Sequence, residues 1–104
     1  MEITFIYITA GSLDEAKAIG KALVSERLVA CVNIIENMNS IYWWKDEIQD
    51  EREVVIIAKT KTKRVSDVVD KVKSIHSYDC PCIVSLPVLG GNKDFLDWIA
   101  KETV

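Results

Sequence analysis

The sequence contains no glycine-rich phosphate loop, no dinucleotide fingerprint and no Ser-His-Asp set; its one glycine pair, Gly90-Gly91, marks a turn. No apolar run approaches the ~20 residues that cross a bilayer, so a membrane is not an expected partner. Basic charge is not in excess either. Thirteen Lys and Arg stand against sixteen Asp and Glu, a net charge of −3, and nothing resembles the basic stripe that neutralises nucleic-acid phosphates. Nucleic acid is therefore not expected as a partner. The cysteines, Cys31, Cys80 and Cys82, are odd in number, which argues for reduced thiols and against a disulfide framework. The opening MEITFIYITAGSLDEA lacks a basic leader and reads as a first strand rather than a signal peptide, so a cytoplasmic location is expected.

What is present is a globular composition, 49% hydrophobic and 28% charged, over 104 residues, a length that suits one domain spanning 1–104. Residues 3–9 are β-branched and aromatic and end at Ala10-Gly11, as a strand does. Ser12 with Glu15 three positions on forms a capping box, and the helix from Leu13 to about Arg27 turns Ala16, Ile19 and Leu23 to one side. The apolar run at 28–35 predicts a central strand covered on both faces. Strand character returns in SIYWW, turns near Lys45-Asp46, and runs back through a second long strand whose apolar weight lies in Val54 to Ala58. A second amphipathic helix spans 61–77, with Val65, Val68, Val69, Val72 and Ile75 at helical spacing. A short strand at 82–88 follows, in which Pro87 suits an edge, and then a last helix with Phe95, Trp98 and Ile99 on one face. The order β-α-β-β-α-β plus a terminal helix is the ferredoxin-like split βαβ arrangement of the α+β class, an antiparallel sheet with helices on one face.

The long central hairpin carries Tyr42, Trp43 and Trp44 at its tip. Alternation puts Tyr42 and Trp44 on one face and Trp43 on the other, so the tip is apolar on both sides and beyond reach of either helix. Each tryptophan exposes on the order of 150–250 Å² unless it finds a partner. The pattern predicts an arm that inserts between subunits, with these three residues at the interface.

The strongest chemical constellation is His76, Cys80 and Cys82, because imidazole and thiolate are the ligands that Cu(I) and Zn(II) prefer. The competing expectation is packing, since free cysteine behaves as a small buried hydrophobe and a histidine at a helix end is ordinary. Cys31, inside an apolar strand, reads as core. The acidic stretch Asp46, Glu47, Asp50, Glu51 and Glu53 reads as a solvated edge that protects the strand from aggregation.

ACVNII, SIYWW, an acidic strand ending EVVIIAKT, HSYDCP ahead of a strand, and FLDWI near the end together resemble the divalent-cation tolerance protein family, CutA. The resemblance covers essentially the whole chain. It implies a ferredoxin-like subunit in a tight homotrimer, non-enzymatic, linked to tolerance of copper and other divalent metal ions, with copper as the implied bound ion. The family's usual His-Pro-Tyr-Glu-x-Pro-Glu segment stands here as His76-Ser77-Tyr78-Asp79-Cys80-Pro81-Cys82, and Ile8 occupies a position where some members carry a cysteine. The family's copper site does not transfer whole, while two thiols are gained. The alternative expectation is a trimeric regulatory module of the PII type that binds a small metabolite or nucleotide between subunits; such a module needs a long mobile loop, whereas Lys45-Asp46 is a tight turn.

Overall fold

The computed structural model describes residues 2–104. Four strands and three helices alternate: β1 (Ile3–Ala10), α1 (Leu13–Ser25), β2 (Cys31–Trp44), β3 (Glu47–Lys61), α2 (Val65–Ile75), β4 (Ile83–Pro87) and α3 (Lys93–Glu102), with a 3₁₀ turn over Thr62–Arg64 leading into α2. The sheet is antiparallel, in the order β2-β3-β1-β4, the ferredoxin-like arrangement expected.

The core forms on one face. Ile6, Ile8 and Ala10 of β1 alternate inward beside Val54, Ile56 and Ala58 of β3, under Ala16, Ile19 and Leu23 of α1 and Val68 and Val72 of α2. Ser12 caps α1 by accepting from the Glu15 amide at 3.1 Å. The capping box does not close, because the Glu15 carboxylate turns away to the amides of Gly11 (3.3 Å) and Ser77 (2.8 Å). The helix ends two residues before Arg27, which adopts a left-handed φ of 56°. Its amide reaches the Val24 carbonyl while that of Leu28 reaches Leu23, the double closure of a Schellman motif.

The run 28–35 departs from expectation. Strand β2 begins only at Cys31 and lies at an edge of the sheet, hydrogen-bonded to β3 alone. Val32 and Ile34 pack under α1, but Cys31, Asn33 and Ile35 point to the opposite face, where Ile35 is 53% exposed. The run is apolar on two faces although this chain covers only one.

At Glu36 and Asn37 the strand carries a bulge: these two residues stand against Val54 alone, between the pairs Ile35–Val55 and Met38–Glu53. Asn37 takes a φ of 63° to accommodate it. The extra residue exchanges the faces of everything beyond it. Met38, Ser40, Tyr42 and Trp44 therefore share the face of Ile35, away from α1 and α2, whereas strict alternation from Val32 and Ile34 would have turned them toward the helix layer. Lys45 and Asp46, with φ of 50° and 64°, close the arm in a two-residue turn of the type favoured by twisted hairpins.

The helices are not all on one side, as the sequence had suggested. α3 lies against β3 and β1 on the second face, where the Lys59 ammonium sits 5.7 Å from the Phe5 ring centroid and 6.0 Å from that of Phe95. Ile99 is fully buried there, and the Phe95 and Trp98 rings stack at 5.6 Å. The rest of that face stays open, and no helix among the described residues is long and apolar enough to cross a membrane.

Candidate functional site

The open face becomes concave where the arm leaves the sheet. A cleft of roughly 640 Å³ is bounded by Tyr7 and Thr9 of β1, Met38, Tyr42 and Trp44 of β2, Glu51 and Glu53 of β3, and the 78–82 segment after α2. Strand parity puts them together. Tyr7 and Thr9 alternate with the core residues of β1, Glu51 and Glu53 with those of β3, and the bulge brings the arm's even-numbered residues onto the same side.

The loop from His76 to Cys82 forms the cleft's end wall, and buried polar contacts hold it. The His76 ring has no side-chain exposure. Its Nε2 donates to the Thr9 carbonyl at 2.7 Å, and its Nδ1 accepts from the Tyr78 amide at 3.1 Å. A carbonyl can only accept and an amide only donate, so the two contacts define the neutral Nε2–H tautomer. The Ser77 amide donates to Glu15, and the combined donors hold that carboxyl below its usual range: burial pushes its pKa up, but the hydrogen bonds from Ser77 and Gly11 outweigh it. Gly11 has a spatial reason as well. A Cβ there would stand 3.2 Å from the Tyr78 hydroxyl.

Tyr78 then projects into the cleft and donates to Glu53 Oε2 at 2.8 Å. Burial, followed by that carboxylate, pushes the phenol well above its ordinary value. Glu53 is 7% exposed and overturns the solvated-edge expectation at its own position; Asp46, Glu47, Asp50 and Glu51 remain exposed as expected. Its identity was readable in part, since it directly precedes the buried run Val54–Ala58. Across the cleft Tyr42 donates to Glu51 Oε2 at 3.0 Å, and Tyr7 donates to the Met38 sulfur at 3.3 Å. The Tyr7 phenol is raised by burial, then by the Cys82 and Glu53 charges.

Of the metal ligands expected from sequence, Cys80 and Cys82 both line the cleft as exposed free thiols. The Cys82 thiol is pushed up by burial, then by the charges of Glu53 and Cys80, against a hydrogen bond with Thr9 that lowers it. His76 stands behind the wall with both nitrogens engaged, so the three are not assembled as one set. Among the described residues no three His, Cys, Asp or Glu side chains converge on a common metal position. Cys31 is half-buried on the open face, opposite Lys59. The three arm aromatics divide by strand alternation. Tyr42 and Trp44 face the cleft, while Trp43, 71% exposed, projects from the other side of the arm with Ile41 and Ile48.

Comparison with known proteins agrees with this architecture. The family model of the CutA1 divalent ion tolerance protein matches residues 4–102. The divalent-cation tolerance protein CutA of Archaeoglobus fulgidus is 48% identical over 100 residues, 96% of each chain, and that of Thermus thermophilus is 42% identical over 94% of this chain and 95% of its own. Among solved structures, CutA1 from Oryza sativa superposes with a TM-score of 0.97 at 33% identity, covering 100% of this chain and 95% of that one. The Archaeoglobus fulgidus structure, described as a periplasmic divalent cation tolerance protein, gives 0.93 at 45% identity over 96% and 97% of the two chains. The chain belongs to the CutA1 divalent ion tolerance family.

Proposed function

We propose that this protein is a cytosolic, non-enzymatic homotrimer that binds copper, as Cu(I), at the thiols of Cys80 and Cys82. The observation that carries the metal assignment is the pair of exposed free thiols that flank Pro81 and line the cleft. Two thiolates suit a soft monovalent ion, with the Met38 thioether in the same cleft, whereas hard dications need more convergent oxygen ligands. Three unpaired thiols also suit a reducing compartment. His76 enters as the residue that fixes the loop; it would have to give up the Tyr78 amide before ligating through Nδ1.

Assembly is supported by unpartnered surface of two kinds. Strand β2 presents a free edge and half an apolar face, and the arm exposes Ile41, Trp43 and Ile48 well beyond the core. Pairing with further copies would cover both.

Native mass spectrometry of protein purified under reducing conditions, with Cu(I) measured against a competing chelator, tests both parts. Three subunits are expected, with affinity falling as pH drops because binding displaces thiol protons. The double substitution Cys80→Ser with Cys82→Ser should remove most of the binding and leave the subunit count unchanged. Undiminished copper binding by that variant would move the metal elsewhere, and a monomer at micromolar concentration would end the trimer reading.

A further inference from the structure

His76 is the one histidine of the chain, and its ring is fully buried at the C-terminal end of α2. Nε2 donates to the Thr9 carbonyl of β1 at 2.7 Å, and Nδ1 accepts from the Tyr78 amide at 3.1 Å. The neutral ring is thereby saturated, one nitrogen donating and the other accepting. A second proton has only Nδ1 to go to, where it sets an N–H against the Tyr78 N–H. Two donors cannot share one contact, so the ring takes that proton only if the Tyr78 amide withdraws.

An acceptor for the charged ring stands beside it. Glu15 Oε2 lies 3.8 Å from Nδ1, too far to bond the neutral ring but roughly 1 Å beyond the length of about 2.7–2.9 Å usual for a charged N–H to carboxylate contact. Burial pushes the Glu15 carboxyl up, yet the Ser77 and Gly11 amides hold it below its ordinary value, so it stays ionised where histidines take up protons, about pH 5–8. The carbonyl end of α2 favours the same positive charge. Among the described residues Glu15 is the one acid within ion-pair reach of the ring. The other titratable groups around it are the neutral Tyr78 phenol against its face, Glu53 of β3 beyond that phenol, and the Cys82 thiol on the far side of Thr9.

We infer that His76 is a proton-operated latch for the 76–82 loop: protonation moves Nδ1 from the Tyr78 amide to the Glu15 carboxylate and frees the Tyr78 end of the loop, while Nε2 stays on Thr9. One hydrogen bond breaks, one charge-assisted bond forms, and solvent supplies the proton. The freed segment is the one that places Tyr78 on Glu53 and carries Cys80 and Cys82. Glu15 belongs to the helix layer and the ring stands behind the loop. The latch therefore needs neither an open cleft nor an accessible thiol, and it operates whether or not another copy covers the bare face of the sheet. It goes beyond copper binding and does not depend on it.

With a single imidazole in the chain, its two nitrogens can be followed by ¹H–¹⁵N correlation spectra of the labelled full-length protein in its native oligomeric state, between about pH 8 and 5. The Nε2–H tautomer is expected at the alkaline end and a doubly protonated ring at the acid end. The Tyr78 amide should shift with the same midpoint, and its protection, corrected for the intrinsic pH dependence of exchange, should fall at least about tenfold while that of Ile56 in the core holds. Glu15→Gln should weaken proton binding by the ring about tenfold, moving the midpoint about one pH unit lower. His76→Gln, whose side-chain amide can still donate to Thr9, should abolish the pH response of the loop; should that variant fail to fold, the Glu15→Gln comparison decides. A ring that stays neutral throughout, a Tyr78 amide unmoved as the ring titrates, a midpoint indifferent to Glu15→Gln, or core amides that lose protection together with Tyr78 would overturn the latch.

Discussion

The Tyr78 hydroxyl and the Glu53 carboxylate, 25 positions apart in sequence, meet at 2.8 Å and join the loop after α2 to the middle of β3. The contact lies at one end of the cleft and engages a buried carboxyl group among its lining residues. His76 stands directly behind, its ring 4.6 Å from that of Tyr78, and ties the same loop to the end of β1.

Removing the Tyr78 hydroxyl should therefore affect stability and its pH dependence together. Tyr78→Phe deletes a hydrogen bond to a charged acceptor, a loss of about 1.5–3 kcal/mol. In the native protein the phenol titrates above its ordinary value of 10.0, so the unfolded chain releases this proton first and stability falls as pH rises beyond that point. Chemical denaturation between pH 8 and 11 should show a steeper alkaline decline for the native sequence than for Tyr78→Phe. Parallel curves would remove Tyr78 as the source.

Glu15 provides the acid counterpart. Its folded pKa lies below the ordinary 4.5, so its contribution is present above that value and is lost as pH falls through the folded one. Glu15→Gln should reduce stability at pH 7 and flatten the loss between about pH 5 and 3. The substitution should also loosen the 76–82 loop, seen as faster hydrogen exchange at the Ser77 amide. Unchanged exchange there would mean that the His76 contacts hold the loop without it.

The arm should govern assembly. Replacing Trp43 and Trp44 with serine removes one large apolar side chain from each face, and unfolding should become more dependent on protein concentration with a lower midpoint. Sedimentation across a dilution series checks this. A variant that assembles as tightly as the native protein would place the contacts elsewhere, at Ile35 or at the Phe95–Trp98 stack.

Gly20 tests the packing of α1 on β2. A Cβ at this position would come within 2.9 Å of Val32 Cγ2, closer than packed atoms tolerate. Overpacking costs about 1–3 kcal/mol, against a helix-propensity gain of about 1 kcal/mol from alanine. Gly20→Ala should thus be neutral to destabilising by up to about 2 kcal/mol, and Gly20→Ala with Val32→Ala should recover part of the difference. A clearly stabilised single variant would show that β2 shifts freely at its edge.

Much of this protein was legible in the sequence because local rules and the core agree. Periodicity located α1, α2 and α3, Ser12 marked the start of α1, and the run Val54–Ala58 identified the buried strand. Lys45-Asp46 gave the tight hairpin without a glycine. The motifs ACVNII, SIYWW, HSYDCP and FLDWI pointed to the family by order and spacing, which need no coordinates.

The site was less legible, since its members come from three strands and a loop, and their association depends on pairing across long separations. By sequence Cys80 fell in the break after α2 and Cys82 at the start of the short strand, but His76 looked equally available until the Thr9 carbonyl and Tyr78 amide occupied both its nitrogens. Glu53 resembled its solvated neighbours because composition does not reveal which carboxylate a tyrosine will cover. The edge position of β2 was hidden for the opposite reason: an apolar run looks central whether its second face is covered by the same chain or left bare.

The sequence by itself determined the elements, their order and the two-faced character of the aromatic arm, because these follow from backbone propensity and side-chain alternation within one segment. Only the tertiary structure decided which face the arm shares with the rest of the sheet. The bulge at Glu36 and Asn37 inserts one residue against Val54 and reverses the parity beyond it, bringing Tyr42 and Trp44 over Glu53 and Tyr78. A period of two is a local property, whereas the register that gives it a direction exists only once β2 has paired with β3.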